Sequence, residues 1–310
     1  MLDLSGEPDP LARLVMAEPA HLLARRLDHP ALAWRAASEL RRQLSRPVVA
    51  WGERVFAVAA QAGAMTGFYR PSESPRRLPP PVPGWRALAA SGPQAKRLRA
   101  AGWAAAEVSL LAPPGEPIGE ESAPTRRSLE VDDADFVWLL AGESSGGAGL
   151  REAIWAATIL HVVERGQRRH RLLLSGDSPG HRRAKTFLDQ LGLPELHITT
   201  TRWSYPSLTA VADAMLLLPH AGGGAWSASV AAWSGLPAVI NRRPTVMEVL
   251  GDRPNVRIAP GDEPRMVVRE MLRLAEVPAS RAGTDNAFSS GQILERWQAI
   301  VRGRAIAASG

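Results

Sequence analysis

Cysteine is absent from the sequence, and lysine occurs only at Lys96 and Lys185. Without cysteine there can be no disulfide, no thiolate metal ligand and no cysteine nucleophile, and a reducing compartment, by default the cytoplasm, is expected. With so little lysine, the net charge of +6 comes almost entirely from arginine. The arginine doublets are dispersed and lack interleaved aromatic residues, so we expect no specific nucleic-acid binding.

Long apolar runs are also missing, because no window reaches the roughly 18 consecutive apolar residues of a membrane span. The first residues, MLDLSGEPDP, are acidic where a secretory signal would be basic. The seven histidines show no metal-ligand spacing, so the sequence predicts no metal site. We therefore expect a protein that does not cross a bilayer and needs no metal.

The length of 310 residues predicts two domains. We place the boundary near residue 120, giving an N-terminal domain over 1–120 and a C-terminal domain over 121–310. In the N-terminal half, residues 18–44 have a helical composition, RPVVAWGE (46–53) is predicted to be a strand opening onto a loop, and the proline-rich segment 69–85 is predicted to be a surface loop.

Strands and helices alternate in the C-terminal half. DFVWLLAGE (135–143) is typical of a buried strand, and residues 149–166 have the spacing of a helix. HRLLLSGDSPG, LHITTT, VADAMLLLP and LPAVI repeat the strand pattern, with helical segments between most of them. This order predicts an α/β fold with a doubly wound parallel sheet, and the uninterrupted apolar runs predict strands covered on both faces.

Four collinear segments within roughly residues 86–302 resemble the retaining glycosyltransferases of the GT-B fold, in particular family four. The first is AASGPQAKRLRAAGWAAAEVSLLAPPG, and the second is DDADFVWLLAGESSGGAGLREAIWAATIL. The third begins HRLLLSGDSPG, and the fourth runs from YPSLTAVADAMLLLPHAGGG through GLPAVINRRPTVMEVL to NVRIAPGD. The resemblance implies two Rossmann-type lobes facing a cleft, with a shortened N-terminal acceptor lobe and a C-terminal donor lobe.

The activity implied by this resemblance is transfer of a hexose from a nucleotide-diphosphate sugar to a hydroxyl acceptor, with retention and without metal. The donor sugar would be a substrate, and no cofactor is implied. The acceptor would be lipid-linked or a polysaccharide. The protein would be cytoplasmic, at the inner face of the membrane.

Glycines between a strand and a helix suit the donor diphosphate, because a helix N-terminus offers unpaired amides and glycine lets the backbone approach the ligand. The predicted donor-binding residues are Gly142, Asp177, Arg182, His220, Gly222, Gly223, Gly224 and Ser227. Ser227 and Ser229 are alternatively helix caps, and Asp177 is alternatively part of a turn. Arg182 is alternatively a solvated surface residue, and His220 is alternatively a neutral histidine packed at a strand end. Glu53 and Glu248 are the candidate catalytic carboxylates, with an ordinary solvated loop glutamate as the alternative for Glu53.

The chain departs from the family where chemistry matters most. The two positions of the family's Glu-x7-Glu pair fall on Gly222 and Val230, and the usual donor-binding arginine and lysine fall on Glu143 and Ala148. A carboxylate at Glu143 would repel phosphate. The alternative to a glycosyltransferase is therefore a non-catalytic binding or scaffold protein with the same fold. A further alternative is translation from a start upstream of Met1.

Overall fold

The computed structural model of the protein describes residues 2–3, 15–16, 48–51, 53–63, 67–71, 77–89, 91–107, 124–141, 149–164, 168–175, 179–200, 203, 205–220, 224–276 and 281. The chain divides into two compact units, Met1–Ser109 with Arg296–Gly310, and Leu110–Glu295. The predicted boundary at residue 120 and the predicted helical region 18–44 lie outside the described residues.

The first unit contains a parallel sheet. A short antiparallel pair is formed by β1 (Leu2–Asp3) and β2 (Val15–Met16). The parallel strands then lie side by side in chain order: β3 (Val48–Trp51), β4 (Gly67–Arg70), β5 (Trp85–Ala89) and β6 (Ala105–Glu107). Helix α1 (Glu53–Gln61) follows β3, and α2 (Gly92–Ala100) follows β5.

Aromatic side chains make the core of this unit. The Phe56 ring lies 4.8 Å from Tyr69, 5.0 Å from Trp85 and 5.4 Å from Trp103, measured between ring centroids. The proline-rich segment is more than the surface loop predicted from sequence. Leu78 and Val82 pack against this core, and the Trp103 indole donates to the carbonyl of Pro79.

The second unit is built on a larger parallel sheet. Its strands are β7 (Phe136–Leu140), β8 (His170–Ser175), β9 (His197–Thr200), β10 (Ala214–Leu217), β11 (Ala238–Asn241) and β12 (Val256–Ala259). They lie in the order β12-β11-β10-β7-β8-β9. The chain therefore builds outward from β7 on one side and then crosses back to add β10 on the other, as a doubly wound fold does.

Helices cover both faces of this sheet, as the uninterrupted apolar strands predict. Val137 and Leu139 point to a core shared with α5 (Ala225–Ser234) and α6 (Pro244–Leu250). Trp138 and Leu140 point to the opposite core, shared with α3 (Leu150–Val163), α4 (Pro179–Gln190) and α7 (Pro264–Glu276). Trp138 is fully buried, whereas 37% of Trp155 on α3 is exposed.

An ion pair and several hydrogen bonds connect two strands at the amino-terminal edge of this sheet. Arg126 donates to the backbone carbonyls of Val211 and Asp135 and to the carboxylate of Asp213, 3.2 Å away. Asp213 in turn accepts the backbone N–H of Val137 at 2.7 Å. The starts of β7 and β10 are thus tied together by one arginine and one aspartate.

A buried polar chain lies at the same edge. The Trp138 indole donates to Nδ1 of His170 at 3.1 Å, and Nε2 of His170 pairs with the Glu164 carboxylate. Burial lowers the pKa of His170, and the raising effect of Glu164 does not overcome it. His170 is therefore neutral, with its proton on the nitrogen that faces Glu164.

Candidate functional site

The strand order reverses between β7 and β10, which are neighbours in the second sheet. Helix α3 follows β7 and helix α5 follows β10, so the beginnings of both helices lie beside the carboxyl ends of these strands. In an open parallel sheet this is the position at which ligands bind. The geometry of the two helix starts therefore decides what the second unit can hold.

Helix α3 begins at a glycine that touches the chain leaving β10. Gly149 is buried and has a φ of +67°. A Cβ on it would lie 1.7 Å from the carbonyl oxygen of Leu218, a distance that no side chain can adopt. Glycine is required here both for the left-handed backbone and for the close approach of the two chain segments.

Helix α5 also begins at a glycine that touches the chain leaving β10, here at Pro219, the residue after Leu218. Gly224 has a φ of +84°, and a Cβ on it would lie 2.6 Å from Cγ of Pro219. Both N-cap positions are glycines, which have no side chain with which to cap the helix. Two helix N-termini thus meet at Leu218 and Pro219, and each presents first-turn amides and a partial positive charge at the switch point of the sheet.

A histidine and a glutamate stand at this edge. Nε2 of His220 lies 3.5 Å from Oε2 of Glu152, which belongs to the first turn of α3. Within the described residues, that buried oxygen has no hydrogen-bond partner. The pair therefore offers a hydrogen-bond acceptor next to two amide-rich helix ends, together with a histidine that is 47% exposed.

Asn241 holds the loops of the site in place. It is 1% exposed and lies at the carboxyl end of β11. Its amide donates to the Pro219 carbonyl at 3.0 Å and to the Asp262 carboxylate at 2.9 Å. Arg243 pairs with the other oxygen of Asp262. The segment after β10 is therefore anchored to the loop after β12.

The sequence-predicted donor residues are only partly brought together. Gly142, Asp177, Gly222 and Gly223 lie outside the described residues. Gly224 and His220 are at the switch point, as just described. Arg182 is exposed on α4 and lines a shallow hollow on that helix with Arg183, Thr186, Phe187 and Gln190.

The two serines of α5 are not its N-cap. That position belongs to Gly224, and Ser229 instead donates its hydroxyl to the carbonyl of Ala225 at 3.0 Å. Ser227 is in the first turn, and its side chain is fully buried. Its predicted contact with the donor diphosphate stays a prediction.

The candidate catalytic carboxylates lie on two different helices. Glu53 is the first residue of α1 and not part of a loop, and it accepts a hydrogen bond from the buried Tyr69 hydroxyl at 2.9 Å. Burial raises the pKa of Tyr69, and Glu53 raises it further. Glu248 is on the exposed side of α6, whereas Val246 and Leu250 on the same helix are buried.

Gly149, Glu152 and Asn241 were not predicted from the sequence. A signal existed for the first two, because Gly149 precedes the helical pattern and Glu152 falls in its first turn, where acidic residues are common. Asn241 ends the apolar run AVIN and gave no such signal. Among the residues that the structure describes, no cluster of three or more histidines and acids could hold a metal ion, and no helix is long and apolar enough to span a membrane.

No protein-family model matches the sequence, and no curated protein matches it. Solved structures do resemble the fold. Sucrose-phosphate synthase from Thermosynechococcus elongatus has a TM-score of 0.64 at 13% identity, covering 97% of this chain and 82% of that one. A glycosyltransferase from Rickettsia africae ESF-5 has a TM-score of 0.61 at 11% identity, covering 89% and 82%.

A third similar structure was solved with ligands. It is HepE from Anabaena in complex with UDP and glucose, with a TM-score of 0.58 at 15% identity over 88% of this chain and 77% of that one. At such low sequence identity, the structural similarity shows the fold alone, and the chemistry has to be argued from the site. The protein thus has the α/β fold of the GT-B glycosyltransferases, with Rossmann-like parallel sheets.

Proposed function

We propose that the second unit binds the diphosphate of a nucleotide sugar and that the protein transfers the hexose to a hydroxyl acceptor. The observation that carries this proposal is the meeting of α3 and α5 at Leu218 and Pro219, with Gly149 and Gly224 as their caps. Two helix N-termini aimed at one switch point favour a doubly anionic group. The same amides would stabilise the charge that develops on the departing nucleoside diphosphate.

The sugar would lie against His220 and Glu152. The glutamate oxygen that lacks a hydrogen bond is a ready acceptor for a sugar hydroxyl, and the exposed histidine supplies a second polar contact. This pair would replace the carboxylates that the GT-B family places on Gly222 and Val230. Glu152 is close to the anion site, so pairing with His220 also reduces its repulsion of phosphate.

Retention, the absence of a metal, and a lipid-linked or polysaccharide acceptor are the finer parts of the proposal. They are supported by the resemblance to family four. A cytoplasmic location at the inner face of the membrane belongs with them. Asp177, Glu53 and Glu248 are proposed to contribute as the resemblance implies, whereas Arg182, the remaining predicted donor contact, lines the hollow on α4.

Titration calorimetry with UDP, GDP, ADP and their sugar conjugates tests the binding step. We expect one nucleotide series to bind, and a ligand at about 100 times its Kd to stabilise the fold by about 2.7 kcal/mol. Glu152→Gln and His220→Ala should weaken the sugar conjugate roughly tenfold and the free diphosphate much less, because each removes one hydrogen-bonding group beside the sugar.

A second histidine and glutamate pair provides a matched control. His161 lies toward the far end of α3, and its Nε2 is 4.0 Å from Glu195. The separation of nine positions between Glu152 and His161 corresponds to roughly 14 Å along the helix. His161→Ala and Glu195→Gln should leave both affinities unchanged. Absence of binding by every nucleotide sugar at millimolar concentration would sink the proposal.

A non-catalytic binding protein is the second candidate, and one observation favours it. Val230, at the second position of the family's glutamate pair, is fully buried in the core of the second unit. No carboxylate from that helix position reaches a ligand. Release of free nucleoside diphosphate during incubation with donor and a panel of hydroxyl acceptors separates the candidates, because a binding protein would be stabilised by the donor without consuming it.

A further inference from the structure

The layer of α3, α4 and α7 carries an unusual set of exposed side chains. Among the described residues, the exposed large hydrophobic side chains are Trp155, Val162, Val163 and Met266, and all four lie on α3 or α7. Val162 and Val163 are 63% and 60% exposed. Apolar side chains that lie together on a surface and are rimmed by polar residues are typical of protein or membrane interaction sites.

The apolar side chains share one side of α3. Trp155 and Val162 are seven residues apart, which is two turns, so they project in nearly the same direction. The half-buried Ile159 lies between them. Helix α3 packs against α4 on one side and α7 on the other. Trp155, Ile159 and Val162 therefore form an apolar stripe that runs along the centre of the three-helix layer.

The flanking helices are strongly basic. Among the side chains that the structure describes, one exposed cation lies on α3, three lie on α4 and three lie on α7. The exposed acids of the same three helices, within their described side chains, are Asp189 and Glu276. On α7, Arg269 and Arg273 share the single carboxylate of the buried Glu270. Both flanks of the stripe thus keep a net positive charge.

Arg182 and Arg183 lie where the cationic flank meets the stripe. They line the shallow hollow on α4 together with Phe187. The Phe187 ring packs edge-on against Trp155, with centroids 5.5 Å apart. Phe187 thus links the guanidinium groups of α4 to the exposed indole of α3, an arrangement that suits an anionic headgroup above an apolar boundary.

We propose that this face, defined by the outer surfaces of α3, α4 and α7, docks on an anionic lipid bilayer. Trp155, Val162 and Val163 enter the boundary between headgroups and acyl chains, and the arginines of α4 and α7 contact lipid phosphates. A second copy of the chain is a poorer occupant, because pairing two such faces would bring like charges together. A polyanion such as nucleic acid would use the cations and leave the valines unexplained.

Flotation with lipid vesicles tests the proposal on the full chain. The probes are vesicles of phosphatidylcholine alone and vesicles in which part of the lipid is phosphatidylglycerol. We expect binding to the anionic vesicles only, weakened by added salt. Arg182→Gln with Arg183→Gln should reduce the partition coefficient roughly tenfold or more, since each cation near an anionic surface contributes about a fivefold factor.

The matched charge control removes two cations from the first unit. Lys96→Gln with Arg99→Gln lowers the net charge equally, on exposed positions of α2. This variant should bind as the wild type does. Equal loss in both double variants would overturn the proposal, because binding would then follow net charge and not this face.

The apolar contribution needs its own pair of variants. Val162→Ser with Val163→Ser should reduce binding to anionic vesicles roughly fivefold, whereas Val162→Leu with Val163→Leu should preserve or strengthen it. Both positions are mostly exposed, so the fold should survive, and circular dichroism checks this. Binding that ignores the valines, binding to heparin or nucleic acid in place of vesicles, or self-association through this face would each contradict bilayer docking. None of these results depends on glycosyltransferase activity.

Discussion

The α-carbon of Gly149 lies so close to the carbonyl oxygen of Leu218 that a single methyl group could not fit between them. The two residues are far apart in sequence, yet their backbones meet where α3 begins and β10 ends. We expect Gly149→Ala to cost about 3 kcal/mol or more, because it adds a clash of backbone atoms to the strain of a left-handed alanine.

Gly192 separates these two effects. Its φ of +69° matches that of Gly149, but a Cβ on it meets nothing within 4 Å. Gly192→Ala should therefore cost only the conformational strain, about 1 kcal/mol. Urea unfolding of the two variants measures both values, and equal losses would mean that the contact with Leu218 does not constrain the fold.

Arg126 and Asp213 make a second prediction about stability. Arg126→Lys cannot reproduce the fork that contacts the Asp213 carboxylate and three backbone carbonyls, so it should destabilise the second unit by about 1–3 kcal/mol. Arg127→Lys is the control. Arg127 is next to Arg126 in the chain but its side chain is exposed, so the substitution should change the free energy of unfolding by less than about 0.5 kcal/mol. Chemical denaturation of both variants decides the matter, and similar losses would show that the contacts of Arg126 are not stabilising.

His170 gives the folded protein a dependence on pH. Burial lowers its pKa in the folded state below the value of about 6.5 expected when unfolded. Between these two values the unfolded chain binds a proton that the folded protein does not, so stability should fall as the pH drops below about 6.5. His197, whose pKa burial also lowers, acts in the same direction.

His170→Gln tests this assignment. The variant should be less stable at neutral pH, because the bonds to Trp138 and Glu164 are disturbed, but its stability should fall less between about pH 6.5 and pH 5. His197→Gln measures the other contribution. Thermal unfolding over this pH range gives both slopes, and an unchanged slope in the His170 variant would exclude it as the titrating group.

Asn241 provides a prediction about the loops of the site. Asn241→Asp would place a carboxylate beside that of Asp262 and remove the donor to Pro219, so we expect a loss of about 3 kcal/mol that is partly recovered at low pH. Asn255→Asp removes a comparable bond, to the Gly235 carbonyl, without facing Asp262, and should cost about 1 kcal/mol. Equal costs in thermal unfolding would contradict the role given to Asp262.

Much of the second unit could be predicted from sequence because its strands are continuous apolar runs, and such runs require cover on both faces. Val137 and Trp138 show this directly, since they enter opposite cores. The exposure of Trp155 could not be predicted in this way, because helical spacing says which residues share a face but not whether another helix covers that face.

The site was harder to predict, since it depends on contacts between distant segments. The glycines after β10 gave a local signal, whereas the approach of Gly149 to Leu218 becomes visible only once β10 is known to lie beside β7. The partners of Asn241 belong to two other loops, and no local pattern encodes them. Glu53 was expected where a strand opens onto a loop, but α1 begins at that residue.

The order β9-β8-β7-β10-β11-β12 also has a consequence for biosynthesis. A nascent chain that has emerged only as far as β9 has one edge of β7 unpaired. The start of α3 then lacks its contact with the segment that leaves β10. The strand that completes the switch point arrives later, with Leu218, Pro219 and the start of α5. The proposed anion site is therefore assembled in the same step that pairs the free edge of β7, so a truncated chain ending before β10 would have an unpaired edge at β7 and would lack half of that site.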